Sequence, residues 1–180
     1  WLLEEVKQKI SEVMKDSELK DKEEVLEKIA VAAVKYAMLK IGVRQDMAFD
    51  INESVSLTGD SGPYLLYIVA RINSILKKSK VESKKLKVLP ENIESSEKKL
   101  LLHLASFSEV IKTSAKELDP SKIARYLFDL AQMFNSFYEN CPVLKAEADV
   151  RDFRLQLIKK VGQVMEKGIY LLGMEIVDEM

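Results

Sequence analysis

Apolar residues recur every three or four positions through almost the whole chain, which is the spacing of one side of an α-helix and not the alternation of a strand. Leu2, Leu3, Val6, Ile10, Val13 and Met14 predict a helix over residues 2–15. A second, over 20–41, carries Val25, Leu26, Ile29, Ala30, Ala33, Val34, Ala37, Met38 and Ile41, a face wide enough for a buried helix. Asp16, Ser17 and Asp21 supply the break and caps between the two, and Gly42 stops the second. Over 43–58 the period is lost. Phe49, Ile51, Val55 and Leu57 alternate with polar neighbours there and predict an extended piece or an irregular connector.

The helical period returns after Gly59-Asp60-Ser61-Gly62-Pro63, a turn whose proline has the φ of a first helical position. The helix it opens runs to Ser79 and carries Tyr64, Tyr67 and Arg71 at spacings of three and four, on one face. A polar connector from Lys80 to Glu94 contains Pro90. Ser95 or Ser96 with Glu97 then forms a capping pattern for a helix from Glu97 to Glu117, apolar at Leu100, Leu101, Leu104, Phe107, Val110 and Ile111. Asp119-Pro120 opens a helix to Tyr138, which Asn140-Cys141-Pro142 ends. The last helix spans Lys145 to Lys167, with Gly168 interrupting it before Ile169–Leu172 and Gly173 ending that final turn. Internal repeats, sustained heptads and strand–helix alternation are all missing. The predicted fold class is all-α, a helical bundle.

Composition fits that picture. The 180 residues are 47% hydrophobic and 32% charged with a net charge of −1, a balance for one globular domain plus an appendage. Neither a signal peptide nor an apolar run near the ~20 residues of a membrane span is present. The chain starts at Trp1, already within a helical pattern and without an initiator methionine, so a piece of a longer protein is expected. The single cysteine, Cys141, excludes an internal disulfide and fits a packed thiol in a reducing, cytoplasmic setting. A net charge near zero argues against binding dominated by nonspecific phosphate contacts. The lysines at 77, 78, 80, 84, 85 and 87, opposed by Glu82, are either a solvated helix end or a local phosphate track.

Bond-making chemistry is hard to find. His103 is the only histidine and sits on a leucine-rich helix, where a satisfied structural role outweighs one as ligand or base. Gly59-x-x-Gly62 lacks both the length and the Lys-Ser/Thr of a phosphate loop. Glu23-Glu24 and Asp178-Glu179 are neighbours in sequence and point apart on a helix. Binding chemistry is better represented. Tyr138 ends a helix after Phe134 and Phe137, where an aromatic ring can stack on an unpaired base and hydrogen-bond through its hydroxyl. Phe107, Phe128, Phe134 and Tyr170 are expected in the core.

The glycine turn and tyrosine helix resemble a segment of arginyl-tRNA synthetases. The resemblance continues through Pro120, Ala124-Arg125-Tyr126-Leu127, Asp129-Leu130-Ala131, Phe134-Asn135-Ser136-Phe137-Tyr138 and Cys141-Pro142-Val143-Leu144. It resumes at Arg154-Leu155-Gln156-Leu157 and closes with Gly168, Leu171-Leu172-Gly173-Met174 and Met180, in the family's order. The resemblance implies a helical stem over 1–60 and a DALR-type anticodon-binding bundle over 61–180. It also implies an enzyme that attaches arginine to tRNA(Arg) with ATP and magnesium, using a catalytic domain beyond this chain. The synthetase elements of the His-x-Gly-His and Lys-Met-Ser-Lys-Ser types have no counterpart here, so no catalytic, cofactor or metal residue is assigned. In the family a tyrosine at the place of Tyr138 and a C-terminal methionine matching Met180 lie at the anticodon surface. Arg154, Arg151, Tyr64, Tyr67 and Arg71 complete the candidates for tRNA contact. Arg154 and Arg151 are equally suited to ion pairs within the bundle, and the spacing of Tyr64, Tyr67 and Arg71 is equally consistent with a helix that faces the catalytic domain or buries its tyrosine rings in the bundle.

Two departures stand out: Leu66 replaces a frequent glutamine, and Asp178-Glu179 replaces a frequent glutamate-arginine pair, which removes positive charge near the tail. The expected partners are tRNA(Arg), through its anticodon stem-loop, and the catalytic domain, with no role for DNA or a membrane. The competing readings are the bundle of another class I synthetase, such as the cysteine enzyme, and a helical protein-interaction module without RNA affinity.

Overall fold

A computed structural model describes residues 1–15, 22–79, 90, 92–178 and 180. Among them are seven helices and no strand: α1 (Leu2–Val13), α2 (Lys22–Leu39), α3 (Ile51–Ser54), α4 (Gly62–Ser79), α5 (Ser95–Glu117), α6 (Ser121–Asn140) and α7 (Ala148–Leu171). The all-α expectation holds. The breaks placed at Asp16, Ser17 and Asp21, and the lysines at 80, 84, 85 and 87, lie outside the described residues.

α4 is the central element. It packs on α2, α6 and α7, while α5 pairs with α6 and α1 with α2. Its buried residues include Tyr64, Leu65, Leu66, Ile68, Val69, Ile72 and Ile75, which is why its apolar positions exceed a single stripe. One hydrophobic cluster runs from Val6 through Tyr36 and Leu66 to Val177, so the first sixty residues share a core with the rest. Two glycines set the helix spacing. A β-carbon at Gly62 would fall 2.2 Å from the Ala32 carbonyl oxygen, and one at Gly168 would fall 2.4 Å from Leu127 Cδ2.

Polar side chains lock the turn that opens α4. The fully buried Tyr36 donates its hydroxyl to Asp60 Oδ1 at 2.5 Å, and Lys40 Nζ donates to the Asp60 carbonyl at 2.8 Å and to Glu53 Oε1 at 2.7 Å. Ser61 Oγ accepts from the Tyr64 N–H at 3.2 Å and so caps the helix. Asp119 Oδ1 accepts from the Ser121 N–H and hydroxyl at 3.1 and 2.6 Å, and α6 begins at Ser121, one residue after the proline expected to open it.

Four local expectations are corrected. Over 43–58 the extended alternative gives way to the irregular connector, interrupted by a helical turn at 51–54 that Asp50 Oδ1 nucleates by accepting from the Glu53 N–H at 3.1 Å. α5 begins at Ser95: Glu97 accepts from the Glu94 N–H at 2.7 Å, so the cap lies one residue before the serines. α7 begins at Ala148 and passes through Gly168 unbroken, since that glycine serves a close approach to α6 and not a break. Tyr170 is an exposed side chain and not part of the core. Gly173, at φ +70, ends the helix region as expected.

Gly62→Ala is expected to destabilise the fold by about 3 kcal/mol, because the colliding partner is backbone and cannot rotate away. A lower urea midpoint at unchanged slope is the checking measurement. Burial holds the protons of Tyr36, Tyr64 and Tyr126 above the ordinary phenol range, with Asp60 adding to the effect on Tyr36. Their contribution to stability is complete below the unfolded phenol value of about 10 and is lost as pH rises beyond it, since the unfolded chain releases protons that the folded one keeps. In an alkaline titration, phenolate absorbance from these three is expected to appear together with loss of helical circular dichroism.

Candidate functional site

The exposed edge of α4 meets the end of α6 and the C-terminal segment in a groove of about 580 Å³. Tyr67, Ala70, Arg71, Ser74, Ile75, Lys77 and Lys78 line it from α4, Tyr138 and Leu144 from the end of α6 and beyond, and Asp178 and Met180 from the tail. The helical period explains the lining: Tyr67, Arg71, Ser74 and Lys78 are three and four residues apart and leave the buried face of the helix to Ile68 and Ile72. Tyr67, Tyr138 and Met180 are partly buried against the core, so the aromatic walls and the terminal methionine are fixed by packing.

Arg71 is the most constrained charge in the groove. Its guanidinium carbon lies 5.0 Å from the centroid of the Tyr138 ring, within cation–π range. Its Nη1 donates to Asn135 Oδ1 at 3.0 Å, and Asn135 Nδ2 donates in turn to the Tyr64 hydroxyl at 2.9 Å. The Phe134 ring centroid lies 6.0 Å from that of Tyr138 at an interplanar angle of 28°. Among the described residues Arg71, Lys77 and Lys78 form no ion pair, and Asp178 is the one acidic side chain among the described lining residues. A chain with net charge −1 therefore keeps a local excess of positive charge beside stacked aromatic surface.

The DALR anticodon-binding domain family matches residues 65–180, which takes in α4 from Leu65 onward, α5 to α7, this groove and the tail. The chain belongs to that family. The arginine–tRNA ligase of Cutibacterium acnes is 38% identical over 167 residues, covering 84% of this chain and 30% of that protein. The arginine–tRNA ligase of Pyrobaculum aerophilum is 36% identical over 179 residues, covering 99% of this chain and 28% of that protein. Among solved structures, an arginyl-tRNA synthetase of Thermus thermophilus superposes with a TM-score of 0.90 at 30% identity, over 99% of this chain and 32% of its own. The Plasmodium falciparum arginyl-tRNA synthetase superposes with a TM-score of 0.78 at 25% identity, over 99% of this chain and 31% of its own. The chain spans about 30% of the length of the curated relatives it matches.

Of the seven residues that the sequence singles out, the DALR domain brings four together in the groove: Tyr67, Arg71, Tyr138 and Met180. The other three stand elsewhere. Tyr64 is 6% exposed, with its ring edge-on to Phe128 at 6.0 Å, so it supports the groove from below and offers no surface. Arg154 is 8% exposed; its Nε donates to Glu97 Oε1 at 2.6 Å and its Nη1 to the Pro142 carbonyl at 2.7 Å. Of the two roles open to it, the ion pair within the bundle is the one it fills. Arg151 lies outside the groove, 3.6 Å from Asp152 Oδ1. Asn135 and Leu144 are functional candidates that the sequence reading passed over. The available signal was the spacing of Asn135, one turn before Tyr138 on the same helix.

The remaining chemical candidates are structural. His103 stacks on Tyr126 with centroids 4.1 Å apart and rings 7° from parallel, and its Nε2 lies 3.1 Å from the Tyr126 carbonyl oxygen. Cys141 is buried, with Sγ 3.3 Å from Ser96 Oγ. Arg154→Leu is expected to lower stability by about 3–5 kcal/mol, because it strands the buried Glu97 carboxylate without its partner. Urea unfolding of Arg154→Leu beside Arg154→Leu/Glu97→Leu tests this, the double variant recovering much of the loss.

Proposed function

We propose that this chain is the tRNA-docking part of an arginine–tRNA ligase, and that its groove receives unstacked anticodon bases of tRNA(Arg). The observation that carries the reading is the Arg71 guanidinium laid over Tyr138, beside Tyr67 and Met180, on a surface with no described carboxylate tied to the cation. Proteins read single-stranded RNA loops by stacking bases on aromatic or guanidinium planes and hydrogen-bonding their edges. Tyr67 and Tyr138 supply rings, Met180 an apolar wall, Arg71 unused N–H donors, and Lys77 with Lys78 charge for neighbouring phosphates. Asp178 works against phosphate on the tail side, so the attraction comes from α4.

In this reading the arginylation step belongs to a catalytic domain of the same protein. ATP supplies the activation of the amino acid there and magnesium accompanies it. Among the described residues no group of three or more His, Cys, Asp or Glu side chains gathers into a metal site, and no phosphate-binding glycine loop occurs, so no step through either group is derived for this chain. What the chain does is hold the tRNA so that its distant acceptor end reaches the catalytic domain. No described helix is long and apolar enough to cross a membrane, and a cytoplasmic location alongside the translation machinery follows from the proposed role.

The test is binding of the protein to a tRNA(Arg) transcript and to the same transcript with substituted anticodon bases. Preference for the arginine anticodon is expected, and Tyr138→Ala is expected to weaken it by about ten- to hundredfold, the worth of one base stack. Affinity should fall as salt rises. Equal affinity for the two transcripts, or weak binding indifferent to salt, overturns the reading, the second outcome favouring a protein-interaction module.

A further inference from the structure

We infer that Asn135 is a positioning residue for anticodon reading, holding Arg71 over Tyr138 through a neutral amide that leaves the arginine's charge uncancelled. The inference rests on the proposed reading of the groove and adds a residue that touches no base. The direction of the Asn135 amide is fixed by its partners. A guanidinium only donates, so the oxygen faces Arg71 Nη1 at 3.0 Å, and the NH2 group is left to donate to the Tyr64 hydroxyl at 2.9 Å. Tyr64 is itself fixed, buried in the first turn of α4 and edge-on to Phe128. A long, flexible arginine on the groove wall is thereby tied, through one amide, to a group that the core does not let move.

The chemistry of the holder matters as much as its place. Arginines are commonly fixed by carboxylates, as Arg154 is by Glu97 in this same bundle. A carboxylate would orient the guanidinium equally well but would neutralise it and compete with RNA for its donors. The amide takes one N–H and adds no charge. Among the described residues Arg71 has no ion pair, so its other N–H donors and its full charge remain for a nucleotide stacked at Tyr138. The ligand class that fits is a base whose edge offers acceptors, with its phosphate nearby.

The experiment measures Kd for the tRNA(Arg) transcript and its anticodon-substituted counterpart, using wild type, Asn135→Ala, Arg71→Ala, the double variant and Asn135→Asp, each checked for helical content. Asn135→Ala is expected to weaken the matched transcript by about three- to tenfold, the worth of one hydrogen bond, with little change for the substituted one. In the Arg71→Ala background the same change should cost nothing further, because both act through one guanidinium. Asn135→Asp keeps an acceptor of the same shape, so preference should persist while the log–log salt slope drops by about one. Equal weakening of both transcripts, losses that add in the double variant, or an unchanged slope in Asn135→Asp overturn the positioning role. A wild-type protein that does not distinguish the transcripts overturns the reading of the groove itself, whatever Asn135 does.

Discussion

Gly62 lies so near α2 that a β-carbon there would meet the Ala32 carbonyl at 2.2 Å, and that approach seats the central helix, α4, on the backbone of α2. It lets the first turn of α4 sit directly on the backbone of α2, with Tyr36, Asp60 and Lys40 closing polar bonds around the contact. α4 then has α2 on one side and α6 and α7 on others, and buries most of its length. Only one edge of it emerges, and that edge carries Tyr67, Arg71, Lys77 and Lys78 to the groove. Close-packed interiors transmit a shift at one such crossing to the elements beyond it. The seat of Arg71 over Tyr138 is nine residues along the same helix from that crossing, where α4 packs beside α6.

Two arginines of the bundle show how one side-chain chemistry is put to opposite uses. Arg154 is enclosed with Glu97, which is 1% exposed, and with the Pro142 carbonyl, so its charge is consumed in joining α5, α7 and the turn after α6. Arg71 is held by an amide and an aromatic face and keeps its charge at the surface. The difference is in the partner. A carboxylate satisfies and neutralises a guanidinium, whereas an amide and a ring orient it without doing so. An all-α bundle with a net charge near zero can thus present a cationic, aromatic surface without being basic as a whole.

The helix content and order could be read from period alone, because each element has an apolar face against a polar one and is bounded by glycine, proline or a capping side chain. The reading failed where two physical roles share one residue type. Gly168 is a spacing residue against Leu127 inside α7, yet by sequence it looks like a helix break. Tyr64 and Tyr67 are three residues apart and share a face by spacing, yet Tyr64 packs edge-on to Phe128 and is buried while Tyr67 stands on the groove wall. Tyr170 reads as core and stands in solvent, since period identifies a face without saying whether a neighbour covers its edge.

What the sequence by itself determined was the all-α class, the order of the helices and the family of the last two-thirds of the chain, because these rest on local spacing and on ordered motifs. Only the tertiary structure decided which of the singled-out side chains share a surface. Arg71 and Tyr138 are far apart along the chain and meet only because α4 packs beside α6. Arg154 and Glu97 likewise find each other across α5 and α7, and that pairing turned a candidate RNA contact into part of the core. Charge, aromatic character and helical face are properties of single positions or short runs. Whether a charge is spent inside or kept for a ligand depends on which distant residue packing brings to it.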